Sequence, residues 1–300
     1  MINTGGIWNP KEENVYFLAT SPAYHEANNV TSYYDHILCA VNEIKNAKDE
    51  QFIIDAVNKG KKVFIDSGVF WLTNQHARAN KMTMDEVLAL PPDALDGFGA
   101  LFDKYCRIVK EIGEKAWGYI EIDQGGMHNK IKTRDRLHGL GFNPIPVYHP
   151  LVDGWDYFDY LAERYDRICL GNIVQADNWT RKRILATIWE RRRKYPDLWI
   201  HCLGLTPNEF CLGFPLSSCD SSSWISTVRW MQMPTRACLK AWDNIEEKYF
   251  RYDLEDESKS YRKTVQMSAT SMRADLQNWR RYIRDVEETL ECDHRMPLDV

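Results

Sequence analysis

The chain has 300 residues, of which 44% are hydrophobic, and its formal net charge is −5. This length suits one large domain, and no apolar run approaches the roughly 18 residues that a membrane helix needs. The acidic balance argues against a protein that coats nucleic acid generally, although it leaves room for a local basic face. The first residues lack the basic and apolar regions of a signal peptide, so we expect a cytoplasmic protein that has no membrane partner.

Short apolar runs alternate with helical patterns along most of the chain. The runs end in glycine, proline or a small polar residue, which is typical of buried strands. The predicted strands are Asn14–Thr20, Lys61–Asp66, Trp117–Asp123, Pro144–Pro150, Arg167–Gly171, Leu198–Gly204 and a short strand around Asp220. An eighth strand leaves a weaker pattern, and Ser226–Trp230 matches it best.

Apolar residues at three- and four-residue spacing predict helices between these strands. The predicted helices are Glu50–Asn58, Met84–Leu90, Ala94–Ile112, Lys130–Leu140, Trp155–Tyr165 and Thr180–Lys194. Residues Leu72–Lys81 are polar, which predicts a loop over the strand ends. From Leu239 onward the chain is charged with helical spacing, and its stripe of Trp279, Tyr282 and Val286 favours helix packing over nucleic-acid binding.

Strands that alternate with helices predict a parallel sheet with crossover helices, and therefore an α/β fold. The strand count favours a (β/α)8 TIM-like barrel over residues 1–238, with a helical C-terminal extension over residues 239–300 packed on the barrel. An open doubly wound sheet is the alternative. That fold usually carries a glycine-rich phosphate loop after its first strand, and Ser21-Pro22 does not provide one.

Three predicted strands have an acid at the carboxyl end, followed by small residues. They are Asp66 in Asp-Ser-Gly, Asp123 in Asp-Gln-Gly-Gly and Asp220 in Asp-Ser-Ser. In a barrel, catalytic groups lie at these strand ends, so we expect the three acids to share one pocket. Two carboxylates around one pocket suit chemistry through a sugar cation, in which one acid attacks and the other moves protons.

Metal-binding and basic motifs carry weaker signals. The 8 cysteines form no C-x-x-C or C-x-C pair, and Cys202, Cys211 and Cys219 near His201 match no common zinc spacing. Buried free thiols are the favoured interpretation, and no metal site is predicted. The basic run of Arg181, Lys182 and Arg183 is a candidate nucleic-acid contact, and a solvated helix face explains it equally well.

The ordered set of Asp66-Ser-Gly-Val-Phe70, Gly171, His201-Cys-Leu-Gly204 and Asp220 resembles the tRNA-guanine transglycosylase superfamily. The resemblance covers roughly residues 14–230. Within the superfamily the chain is most similar to the phage and bacterial DpdA-like transglycosylases, which insert 7-deazaguanine bases into DNA. This implies a DNA substrate, a free 7-deazaguanine base such as the 7-cyano form, no cofactor, and the host cytoplasm as the location if a phage encodes the chain.

The resemblance also implies roles for individual residues. Asp220 matches the nucleophile that attacks the sugar C1′ and expels guanine, and Asp66 matches the acid that handles protons on the base. Phe70 falls where the family stacks an aromatic ring on the base. The other implied substrate contacts are Asp123 at the guanine edge, the backbone of Gly171, Leu203 as an apolar wall, Ser67 and Tyr148. The Asp66 and Asp220 carboxylates are predicted to lie roughly 5–10 Å apart across the pocket.

The chain also departs from the family pattern. The C-x-C-x-x-C…H zinc motif of the tRNA enzymes is missing from the sequence, which favours DNA over tRNA as the substrate. Tyr148-His149 stands where the family has a base-reading glutamine, so base selectivity stays open, and Gly171-Asn172 replaces a double-glycine turn. The oligomeric state is open as well, and a homo-oligomer is compatible with the sequence.

Structural interpretations of the same residues stay open at this point. Asp220 could cap a helix and Asp66 could cap a turn. Asp123 competes with the nearby Glu121 for the site, and Phe70 could pack in the core. The alternative functions are the same base exchange on tRNA and a non-catalytic barrel subunit that binds nucleic acid. His149 and His201, taken singly, are expected to be structural.

Overall fold

The structure is a computed structural model that describes residues 1–12, 15–206 and 216–225. Its strands are β1 Val15–Ala19, β2 His36–Ala40, β3 Lys62–Asp66, β4 Gly118–Tyr119, β5 Val147–Tyr148, β6 Arg167–Leu170, β7 Trp199–Cys202 and β8 Ser218–Ser221. Its helices are α1 Pro22–Ala27, α2 Ala47–Asn58, α3 Val69–Asn80, α4 Met84–Leu88, α5 Phe98–Ile112, α6 Met127–Gly139, α7 Trp155–Arg164 and α8 Asn178–Arg192. Among these residues, every helix is too short or too polar to cross a membrane.

The eight strands form one curled parallel sheet in the order β4-β3-β2-β1-β8-β7-β6-β5. The outer strands β4 and β5 run on into a parallel bridge between Ile120 and Ile145. There the Ile145 N–H donates to the Tyr119 carbonyl at 2.8 Å, and the Glu121 N–H donates to the Ile145 carbonyl at 3.0 Å. The fold is therefore α/β with a curled all-parallel sheet, and this topology is compatible with a TIM-like barrel.

The described sheet contains one strand that the sequence pattern did not predict. The strand missing from the predicted set is β2, which pairs with β1 on one side and β3 on the other. Its first residue, His36, interrupts the apolar pattern, yet it is buried and its Nε2 lies 2.6 Å from Glu12 Oε1. Ser226–Trp230 and Cys211 lie outside the described residues, as does the predicted extension over residues 239–300.

The segment predicted as a loop over Leu72–Lys81 is a helix, so that prediction was wrong. Gly68, with a φ of 75°, turns the chain from β3 into α3. A Cβ at this glycine would meet the Asn42 side chain at 2.3 Å, so only glycine fits the turn. The helix is amphipathic despite its polar composition, because its buried residues fall on one face. They are Val69, Leu72, Thr73 and Ala77.

Alternate residues of the strands form two cores. The outward set packs against the helices and includes Tyr16, Leu18, Ile65 and Ile168. The inward set fills the interior of the curled sheet and consists of Val15, Phe17, Leu38, Phe64, Trp117, Ile120, Ile145, Val147, Cys169 and Trp199. This two-residue period fixes which strand-end side chains face the inside.

The amino ends of the strands are covered by the N-terminal segment, residues 2–8. Its backbone bonds to loops that precede β4, β5 and β6, with the Ile7 N–H donating to Ala116 at 2.8 Å and the Gly5 N–H to Asn143 at 2.7 Å. Ile2 forms a parallel bridge with Tyr165. The segment therefore lies at the end of the sheet opposite to the predicted pocket.

Arg167 of β6 ties this segment to the interior. The guanidinium is fully buried and donates to the Thr4 hydroxyl at 2.6 Å, the Gly5 carbonyl at 2.7 Å and the Trp117 carbonyl at 3.0 Å. It also lies 4.6 Å from the centre of the Trp8 ring. The hydrogen bonds of this buried cation all end on backbone and hydroxyl oxygens, so the cation is costly to remove because these acceptors lose their donor.

We expect Arg167→Ala to lower the free energy of unfolding by about 3 kcal/mol or more, because several buried acceptors lose their donor. Urea denaturation of the full chain measures this change. The control is Arg78→Ala, an exposed position on α3, which should change the free energy of unfolding by less than about 0.5 kcal/mol. Equal effects of the two substitutions would contradict the anchoring role of Arg167.

Candidate active site

A cavity of about 250 Å³ opens at the carboxyl ends of the strands. Six residues predicted for the site line it, namely Asp66, Phe70, Asp123, Gly171, Leu203 and Asp220. Five of them come from the ends of β3, β6, β7 and β8 and from the segment after β4, and Phe70 comes from the first turn of α3. The volume falls slightly below the range of about 300–1,000 Å³ for pockets of drug-sized ligands, so it suits one small ring system.

Asp66 is the last residue of β3, and the backbone N–H groups of Ser67 and Gly68 donate to its carboxylate. Burial raises the pKa of Asp66 to about 7, and the charges of Asp123 and Asp220 add to this increase. The two N–H donors offset only part of it. A carboxyl group with a pKa near neutrality can both donate and accept a proton at physiological pH.

Asp220 lies on β8, beside β1 and β7, and its side chain is buried. Its Oδ1 is 3.1 Å from His201 Nε2 and accepts the Gly204 N–H at 3.0 Å. His201 is in turn held by Ser218, whose Oγ lies 2.6 Å from Nδ1. Since both hydrogen bonds from described residues end on Oδ1, Oδ2 is the oxygen that remains for a ligand.

His201 is fully buried among aromatic rings, so its orientation is fixed. It stacks on Trp199 at a centroid distance of 6.0 Å with 6° between the planes, and Phe64 meets it edge-on at 4.9 Å. A rigid imidazole below Asp220 holds that carboxylate in one orientation. His201 is therefore structural in the sense that the sequence suggested, but the side chain that it positions is in the cavity.

Asp123 pairs with His149, which follows β5. His149 Nε2 lies 2.8 Å from Asp123 Oδ2. Burial alone would raise the pKa of Asp123, but the hydrogen bond and the charge of His149 outweigh it and leave this pKa below its ordinary value. Asp123 is thus an ionised acceptor, whereas Asp66 is close to its titration midpoint at neutral pH.

A buried ion pair supports His149 from behind. The backbone N–H of His149 donates to Asp153 Oδ2 at 2.8 Å, and the same oxygen binds Lys130 Nζ. Lys130 also donates to the Val147 carbonyl at 3.0 Å, so it links α6 to β5. The loop that carries His149 is therefore fixed by charge-assisted hydrogen bonds.

Gly171 and Leu203 complete the wall. A Cβ on Gly171 would come within 2.5 Å of the His149 ring, so glycine lets that ring lie against the backbone. The Gly171 N–H donates to Tyr148 at 2.9 Å and the Leu203 N–H donates to Leu170 at 2.9 Å. Both N–H groups are engaged in the sheet, which means that a ligand can reach only the carbonyl or the Cα face of Gly171.

Phe70 is 55% exposed and lines the cavity from the first turn of α3. The core-packing alternative for this ring therefore does not describe its surroundings. The neighbouring Trp71 is 51% exposed but is not among the residues that line the cavity. An exposed ring at the mouth of a small cavity offers a stacking surface for a planar ligand.

Two predicted substrate contacts lie elsewhere. The Tyr148 ring is fully buried in the outer core, where it packs on Trp155 at 5.5 Å and Phe158 at 5.4 Å. Strand alternation turns Tyr148 outward and His149 inward, so His149 takes the place at the cavity. The Ser67 hydroxyl is also buried and accepts the Val69 N–H at 3.3 Å, so Ser67 contributes its backbone N–H to the site.

Glu121, the competitor of Asp123, is part of the scaffold. Its carboxylate accepts from Arg134 Nε at 2.7 Å and from the Val147 N–H at 2.6 Å. Glu121 is fully buried, and Arg134 also binds the Tyr157 hydroxyl. This ion pair joins α6 and α7 to the sheet and leaves Asp123 as the acid at the cavity.

The predicted basic run on α8 divides into two kinds of residue. Arg181 folds back onto the loop after β6 and donates to three of its carbonyls, those of Ile173, Val174 and Ala176 at 3.0–3.3 Å. Lys182 and Arg183 are exposed. Arg181 thus holds a loop of the cavity wall, a function that its sequence context does not reveal.

Comparisons with known proteins do not identify a family for this chain. No model of a protein family matches the chain, and no curated protein matches it.

The raised pKa of Asp66 has a consequence for stability. A carboxyl whose pKa is higher in the folded protein than in the unfolded chain stabilises the fold at low pH, and this contribution is lost as the pH rises through the folded value of about 7. The free energy of unfolding of Asp66→Asn, relative to that of the parent protein, should therefore increase by about 2–3 kcal/mol from pH 5 to pH 8.

Urea denaturation of both proteins at pH 5 and pH 8 gives the stability difference between them at each pH. Effects of the Asn side chain that do not depend on pH cancel when the two differences are compared. Asp103→Asn, at an exposed position of α5, serves as the control and should show no such trend. A flat difference for Asp66→Asn would mean that the Asp66 carboxyl titrates normally.

Proposed function

We propose that this chain is a DNA base-exchange enzyme that replaces guanine with a 7-deazaguanine, such as the 7-cyano form, through a covalent aspartyl-sugar intermediate. The proposal includes the closed (β/α)8 form of the barrel, a helical C-terminal extension, and a cytoplasmic location, which is the host cytoplasm if a phage encodes the chain. The resemblance of the strand-end motifs to the transglycosylase superfamily suggests this activity.

The observation that carries the proposal is the convergence of three carboxylates on one cavity in different environments. Asp66 has a pKa raised to about 7, while His149 keeps the pKa of Asp123 low. Asp220 is fixed through Oδ1 by His201 and Gly204. Acids with pKa values driven apart by their surroundings are typical of sites that divide acid, base and nucleophile roles.

The chemistry follows from these roles. An oxygen of Asp220 attacks C1′ of the target deoxyribose, and the bond from C1′ to the base breaks, so that the electron pair leaves with guanine. Asp66 in its protonated form donates a proton to the departing base. The incoming base then loses a proton to Asp66 and attacks C1′, which releases Asp220. Two displacements retain the configuration of the sugar, and they need no metal, nucleotide or redox cofactor.

Two exposed tryptophans, each in the first turn of a helix that follows a strand end, are compatible with a nucleic-acid substrate. Trp71 in the first turn of α3 and Trp179 in the first turn of α8 are 51% and 48% exposed. Exposed rings of this kind stack on unpaired bases, at about 1–3 kcal/mol per base. The target base must leave the helical stack to enter the cavity.

Asp220→Asn should lower guanine exchange into DNA on the order of 10³-fold or more, because the amide cannot attack C1′. The assay incubates the full chain with labelled guanine and DNA and counts the label retained in the DNA. Asp103→Asn should exchange at the parental rate. The thermal melt of Asp220→Asn should be cooperative, and exchange retained in a folded Asp220→Asn protein would rule out this nucleophile.

The choice of DNA over tRNA is tested in the same assay with two acceptors. We expect label in DNA and none in purified tRNA, because the sequence lacks the zinc motif of the tRNA enzymes. When the reaction without added base is analysed on a denaturing gel, the parent protein should form a protein–DNA adduct that Asp220→Asn does not form. Exchange into tRNA alone would overturn the substrate but not the chemistry.

A further inference from the structure

Asn172 lies in the wall of the cavity, and the oxygen of its side-chain amide is the feature of interest. It follows Gly171 directly and lies in the left-handed backbone region with a φ of 49°. Its Oδ1 is buried and accepts no hydrogen bond from the residues that the structure describes. An unpaired buried carbonyl oxygen is unfavourable, and such groups in native structures call for an explanation, a ligand among them.

The loop that carries Asn172 is rigid. The Gln175 N–H donates to the Asn172 carbonyl at 3.1 Å, and the three loop carbonyls bound by Arg181 fix the turn that follows. Asp177 then caps α8 by accepting the Thr180 N–H at 2.9 Å. The Asn172 backbone is therefore held in place, while the terminal torsion of its amide is soft enough to turn the oxygen towards the cavity.

The neighbouring acceptors are partly engaged. Asp123 Oδ2 binds His149, so this acid has Oδ1 to offer to a ligand. The His149 ring lies against Gly171, the residue before Asn172. The wall thus offers Asp123 Oδ1 as one acceptor, and a turn of the Asn172 amide brings Asn172 Oδ1 to the same wall as a second.

We propose that Asn172 determines base specificity by accepting a hydrogen bond from an exocyclic amino group next to the ring N–H that Asp123 binds. A guanine-type base carries these two donors side by side, at N1 and on C2. The inference rests on the proposed function and specifies its ligand as a 2-amino base. A base without the amino group leaves the Asn172 oxygen unpaired, and sites with unpaired buried groups reject such analogues strongly.

The test compares two probes that differ only in the amino group, 7-deazaguanine and 7-deazahypoxanthine. Their incorporation into DNA by the full chain is measured as kcat/KM from nucleoside analysis. We expect the parent protein to prefer 7-deazaguanine by about tenfold or more. Asn172→Gly should bring this ratio close to one by slowing 7-deazaguanine alone, since glycine keeps the left-handed backbone and removes the acceptor. Asn172→Asp keeps an acceptor and should keep the preference.

The matched control is Asn29→Gly, which alters an exposed asparagine with a φ of 50° that does not line the cavity. It should leave both kcat/KM values unchanged. If Asn172→Gly keeps the parental ratio while both bases are incorporated, the role of Asn172 is wrong and base exchange stands. If the parent protein incorporates neither base, base exchange and the role of Asn172 fail together.

Discussion

Three carboxylates facing one cavity of about 250 Å³ are the constraint on which the rest of the molecule depends. Like charges in a poorly hydrated space repel each other, so each acid needs its own compensation. Asp66 receives two backbone N–H groups at the turn into α3, and Asp123 receives His149. Asp220 receives His201 and the Gly204 N–H. The donors to Asp66 come from the two residues that follow it, whereas those to Asp123 and Asp220 come from other strands and loops, so these two pairs form only when the sheet assembles.

The two ends of the sheet carry different tasks. At the amino end, Arg167 and the N-terminal segment bury a cation among carbonyl and hydroxyl oxygens, an arrangement that serves stability. At the carboxyl end, three acids, His149 and two glycines are among the residues that surround open space. The inward aromatic residues lie between the two, and Phe64 and Trp199 contact His201 directly. Packing in the interior therefore sets the orientation of a residue that positions Asp220.

The sequence predicted those parts of the fold that depend on local pattern. Seven strands and the strand-end acids followed from apolar runs and small-residue turns. β2 was missed because it starts with a buried histidine, and α3 was missed because its apolar face is narrow within a polar segment. In both cases tertiary packing decided what composition left ambiguous.

The sequence predicted several residues that lie at the cavity but not the pairs that they form. The partners Asp123 and His149, like His201 and Asp220, are distant in the chain and meet through strand register, which no local motif reports. Tyr148 and His149 are adjacent in the chain, and the alternation of side chains along a strand places Tyr148 in the outer core and His149 at the cavity. Arg181 belonged to an evidently basic run, yet its guanidinium binds three carbonyls of its own loop.

The pairing of Asp123 with His149 changes what this acid can contribute. A carboxylate with one oxygen committed to an imidazole has fewer lone pairs for a ligand, and its low pKa removes it from proton transfer at neutral pH. Proton movement then falls to Asp66, the acid whose pKa lies near neutrality. The remaining recognition must come from other acceptors on the same wall, and Asn172 has the oxygen to supply it. In the proposed base exchange, the histidine at position 149 thereby separates binding of the base from proton transfer to it.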